Sequence, residues 1–133
     1  MRRTGHNSGF SLIEVLVAFS IAAISLAILF QIYAKGVAAA TLGEEYTQAI
    51  AVAESRLAET GQSEDINDGQ RSGREGDKYS WTVITTDYIE EQESEYQTPF
   101  ELKHVEVEVS WDSRGKTRSI KLNTLKPFLK EKA

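Results

Sequence analysis

The chain has 133 residues, 41% of them hydrophobic and 26% charged, which allows one domain with one modest core and argues against a disordered polymer. The formal net charge of -5 argues against a general nucleic-acid binder, which would carry a basic stripe. Cysteine is absent, so disulfide frameworks, thiolate catalysis and cysteine-ligated metals are excluded.

Charge is spread unevenly along the chain. Met1 to Gly9 carries Arg2 and Arg3 and no acid. Phe10 to Tyr33 is 24 residues long, 19 of them apolar, with Glu14 as its single charge; from Lys35 onward there are 13 basic and 19 acidic side chains. As a helix the apolar run would measure about 36 Å, enough to cross a hydrocarbon core of about 30 Å. A lone spanning segment has to be helical, because in lipid the backbone must satisfy its own hydrogen bonds. Ser11, Ser20 and Ser25 are placed to bond back to the preceding turn. The basic residues precede the run, so the positive-inside rule puts the N-terminus in the cytoplasm and the acidic body outside. A buried core helix is the first competing reading, but the remaining 100 or so residues could not wrap such a rod on all sides. A removable signal peptide is the second, with Ala38-Ala39-Ala40 as its cleavage site. The run is longer than the usual signal core of roughly 7–15 residues, and a signal gains nothing from a carboxylate near its start.

Glu14 is the anomaly. A carboxylate in a spanning segment costs on the order of 2–3 kcal/mol even on lenient insertion scales. Two readings account for it. Either it lies at headgroup level against the positive end of the helix dipole, or it awaits a cation from another chain, such as the ammonium created by cutting just before Phe10.

Gly9-Phe10-Ser11-Leu12-Ile13-Glu14, after a short basic leader and before about 20 apolar residues, resembles the class III signal of type IV pilins and type II secretion pseudopilins. The resemblance implies cleavage between Gly9 and Phe10 by a prepilin peptidase, then N-methylation of Phe10 by the same enzyme. It also implies that Glu14 sets the register of a neighbouring subunit. Gly9 fits physically, since a residue without a side chain lets a protease approach the peptide closely.

Beyond Lys35, Leu42, Tyr46, Ala49, Ile50, Ala53 and Leu57 follow helical spacing on one face. One helix is therefore expected from about residue 10 to 60, with Gly36 and Gly43 as candidate bends. Gly61 would end it, and Gln62 to Gly76 reads as a polar loop. Lys78 to Asp87 reads as a strand with Tyr79, Trp81 and Val83 on one side, and Tyr88 to Thr98 as an acidic loop. Leu102 to Trp111 alternates Val105, Val107, Val109 and Trp111 with His104, Glu106, Glu108 and Ser110, a half-buried strand of period two. A turn over Asp112 to Gly115 returns the chain into Arg118 to Leu125. Pro127 is expected to end that strand and Phe128 to Ala133 to form a basic tail.

The fold class is thus α+β: a long N-terminal helix packed on three or four antiparallel strands, a ladle. The organisation is a cleaved leader over 1–9, a transmembrane half-helix over 10–34 and an α+β body over 35–133. Within the superfamily, Ala51-Val52-Ala53-Glu54-Ser55-Arg56-Leu57-Ala58-Glu59 is similar to the helix of minor pseudopilin I. Tyr79-Ser80-Trp81 and Val105 to Val109 are similar to its strands. The absence of cysteine departs from major type IVa pilins, and no calcium-loop spacing of major pseudopilins is present.

The resemblance implies a single-pass protein of the bacterial inner membrane with a periplasmic body, built into the tip of a pseudopilus. Its partners would be minor pseudopilins of the J and K types, the major pseudopilin and the prepilin peptidase, with no nucleic acid. A minor type IV pilin or a competence pseudopilin is the alternative. No cofactor is implied, and no enzyme: Ser residues lack a Gly-x-Ser-x-Gly elbow. His104 with Glu106 and Glu108 reads as a solvated sheet face before it reads as a metal site. Glu90 to Glu95 lack the defined loop of a tight calcium site.

Overall fold

The computed structural model describes residues 9–62, 69–89 and 99–130. The chain forms one helix, α1 (Leu12–Glu59), and four strands, β1 (Gly69–Glu75), β2 (Tyr79–Asp87), β3 (Phe100–Ser113) and β4 (Lys116–Leu129). It divides into two compact units, Met1–Thr41 and Leu42–Ala133. One long N-terminal helix, apolar in its first half, thus accompanies a four-stranded antiparallel sheet, and the arrangement is α+β and pilin-like.

In the first unit α1 runs unbroken through Gly36. Its large apolar side chains from Phe10 to Tyr33 are all at least 51% exposed. Ser20 and Ser25 hydroxyls donate to the carbonyls of Leu16 and Ile21, each at 2.8 Å, which keeps both polar groups satisfied within the helix.

In the second unit the sheet order is β1-β2-β3-β4, every pair antiparallel. The core lies between one face of that sheet and the last turns of α1. Val105, Val107, Val109 and Trp111 supply its central row, as their alternation demands, with Tyr79 and Val83 beside them from β2. Ala49 and Ala53 are fully buried on the helix side; their methyl groups let the helix backbone lie close to the valine row. Tyr46, Val52 and Leu57 flank them, while Ile50 stays exposed. The buried stripe is centred on the two alanines, and Ile50 lies off its edge.

Four expectations change. Residues 69–75 of the expected loop form β1, because Gly69 to Glu75 pair in register with Thr85 to Tyr79. A sequence poor in strand formers is recruited there by its neighbour's ladder. Gly73 lies under the Trp81 indole, where a Cβ would come within 2.5 Å of the ring. Second, Pro127 does not end β4, which continues to Leu129. The Lys130 N–H donates to the Pro99 carbonyl at 2.9 Å, so even-numbered residues of β4 bond to β3. Odd-numbered ones, Pro127 included, turn their backbone nitrogen to the sheet's open side, where proline loses no ladder bond. Third, Phe128 is a core residue rather than part of a tail. The expected turn over Asp112 to Gly115 narrows to Arg114-Gly115. Their φ angles of 51° and 76° are those of a type I′ hairpin turn, whose twist suits the flanking strands. Residues 1–8, Glu90 to Glu95 and 131–133 lie outside the described residues.

Candidate functional site

The first candidate site is the start of α1. Gly9 and Phe10 precede the helix, both exposed. A Cβ built on Gly9 meets nothing within 4 Å, so no close packing among the described residues demands glycine there. Glu14 lies in the first turn. Its backbone N–H donates to Ser11 Oγ at 3.2 Å, and its carboxylate accepts from the Ser11 backbone N–H at 3.5 Å. This reciprocal pair is a capping box, written in the sequence as Ser-x-x-Glu. Ser11 therefore caps the helix instead of bonding back to a preceding turn, because it stands ahead of the first helical residue. The Glu14–Ser11 bond is at the outer limit of hydrogen-bond length and lies in the open, so a cation could displace it. Phe10, Ser11 and Glu14 thus sit together within one turn, with Gly9 immediately before them.

The second polar cluster belongs to the body and was not legible in the sequence. Glu45 is on α1, and its side chain is only 14% exposed. One carboxylate oxygen accepts from Lys78 Nζ at 2.6 Å, the other from Trp111 Nε1 at 3.2 Å. The Lys78 hydrogen bond, then those of Ser113 and Trp111, hold the Glu45 carboxyl down at about 2 against partial burial. The same hydrogen bond raises Lys78, while burial raises Tyr79. The Tyr79 hydroxyl lies 3.1 Å from both the Glu45 carbonyl and Gln48 Oε1. Tyr46 stands edge-on to the Trp111 ring, centroids 4.9 Å apart. The cluster bonds the helix to β2 and β3, and every polar group in it is engaged with another, which suits a fastening better than a reacting centre.

The outer sheet face holds His104, Glu106 and Glu108. Lys121 Nζ lies 3.4 Å from Glu106 and 3.8 Å from Glu108, so these carboxylates serve a cross-strand ion pair. Among the described residues no three His, Asp or Glu side chains converge as metal ligands do.

Residues 5–30 match the family model of the prokaryotic N-terminal methylation motif. The match spans Gly9, Phe10 and Glu14 and the capped start of α1. Among the described residues α1 is long and apolar enough to cross a membrane. No curated protein and no solved structure is significantly similar to the chain.

Proposed function

We propose that this chain is a minor pseudopilin of a type II secretion system, resembling the I subunit. It is a structural part of the pseudopilus tip that helps start filament assembly for protein export. The observation that carries the reading is the matched motif joined to an apolar helix whose large side chains from Phe10 to Tyr33 are exposed among the described residues. A surface of that kind is stable only in lipid or against other helices.

The leader over 1–9 is cut from the chain between Gly9 and Phe10 by the prepilin peptidase, and the new Phe10 amine is methylated. Residues 10–34 anchor the protein in the inner membrane, with Arg2 and Arg3 on the cytoplasmic side. Residues 35–133 form the periplasmic body. Glu14 exchanges its weak bond to Ser11 for the Phe10 ammonium of a neighbouring subunit. In a low-dielectric layer that pairing is strong only when the subunits pack in register. The body binds minor pseudopilins of the J and K types, and the major pseudopilin continues the filament.

The test is purification from native membranes in detergent, with intact mass and identification of co-eluting chains. The expected result is a mature chain beginning at N-methylated Phe10, together with J- and K-type partners. A chain beginning elsewhere refutes the junction. Co-elution with a major pilin instead favours a minor type IV pilin or competence pseudopilin.

A further inference from the structure

We propose that the open edge of β4 takes up an extended, acidic strand of another protein. β4 is the last strand of the sheet, and among the described residues no strand lies on its far side. The ladder parity leaves the backbone N–H and C=O groups of Thr117, Ser119, Lys121, Asn123 and Leu125 facing that edge. Such a row of groups is a ready template for one more strand.

Charge decides which strand it accepts. From Arg114 to Lys130 the six ionisable side chains are all basic, in a chain whose net charge is -5. Two of them are occupied at home, Lys121 with Glu106 and Glu108 and Lys126 with the end of α1. Arg118 is different: its Nε is buried and has no hydrogen-bond partner. It lies on the helix-facing side of β4, as do Lys116 and Lys130. The opposite side carries Leu125, 42% exposed, and Leu129, 73% exposed, with Phe100 and Leu102 beside them on β3. Lys116 and Arg118 stand at the start of β4 and Leu125 and Leu129 toward its end, so the basic charge of the strand is what selects an acidic occupant. A second copy's β4 is a poor occupant, since it would set cations against cations. Lysines and a proline on an edge also serve simply to repel strands. The two roles differ in outcome, because a purely repelling edge takes no strand of either charge.

The probe is a fluorescein-labelled peptide of about nine residues alternating glutamate and valine, long enough to span about 30 Å of strand. Its control carries lysine for glutamate. Fluorescence anisotropy with the full chain in detergent micelles should show binding of the acidic peptide at least about tenfold tighter than the basic one, weakening as salt screens the charges. Asn123→Pro removes one edge-facing donor and leaves the β3 ladder alone, so it should abolish binding with the circular dichroism unchanged. The double variant Lys116→Glu/Arg118→Glu should reverse the preference toward the lysine peptide, and it decides the matter if Asn123→Pro fails to fold. No binding of either peptide, equal binding of both, or full binding by a folded Asn123→Pro overturns the proposal.

Discussion

Lys126 Nζ lies 2.9 Å from the carbonyl oxygen of Thr60 and also donates to the carbonyl of Leu57. A lysine near the end of the last strand thus closes the C-terminus of α1, 66 residues earlier in the chain. The last carbonyls of a helix have no partners within it, and a cation there also opposes the negative end of its dipole. Gly61, with φ of 94°, turns the chain away from the helix, and Phe128 packs beside it. Lys126→Met keeps the aliphatic stem and loses the donor. It should cost about 1–2 kcal/mol, seen as a lowered thermal midpoint of the full chain in detergent.

The Glu45 cluster sets an acid limit on the body. The carboxyl is held at about 2 in the fold, below its ordinary value of about 4.3 in an unfolded chain. A depressed value means the unfolded state binds the proton more readily. The contribution is therefore fully present above about pH 4.5 and is lost as pH falls toward 2. Glu45→Gln should lower the melting temperature near neutrality, and its gap from the native chain should close through that window. A gap that stays constant down to pH 2 would assign the loss to packing rather than to charge.

Gly73 exists because Trp81 occupies the space above it. An added Cβ would lie 2.5 Å from the indole Cζ2 and 2.9 Å from Cε2, closer than real contacts allow. The indole also lies under the Arg56 guanidinium, 4.8 Å from the ring centroid, which in turn bonds Glu59 and Glu75. Gly73→Ala should push the ring from this stack and cost about 1–3 kcal/mol. Chemical denaturation followed by tryptophan fluorescence measures both the loss and the ring's changed surroundings.

Glu14→Gln separates the capping contact of that side chain from its proposed pairing with a neighbouring subunit. Glutamine still serves a capping box, so helix content by circular dichroism and membrane insertion should match the native chain. The charge is gone, so recovery of partner subunits from detergent extracts should fall several-fold. Undiminished co-purification would leave Glu14 with its capping role alone.

Local patterns were legible wherever the physics acting on a residue came from its near neighbours. The valine–glutamate alternation of β3 reported its own buried face, and Ala49 and Ala53 declared the inward side of α1 by their spacing. The capping box at Ser11 and Glu14 was equally local, though the charge of Glu14 drew attention away from it. β1 was hidden because its glycines and arginines favour no strand, and only the edge of β2 makes one of them. Pro127 misled for a related reason: whether a proline breaks a strand depends on which side its nitrogen faces, and that is a property of the ladder.

By itself, the sequence displays the features of the proposed anchor: two arginines ahead of a glycine–phenylalanine pair, one acid just after it and an apolar run long enough for a bilayer. These are contiguous, and their meaning needs no distant residue. Tertiary structure alone decided how the body is fastened. Glu45 finds Lys78 33 residues away and Trp111 66 residues away, and Lys126 reaches back as far to cap α1. Such partners are chosen by the geometry of a sheet packed against a helix, because hydrogen bonds act over about 3 Å and only the folded chain brings those groups that near.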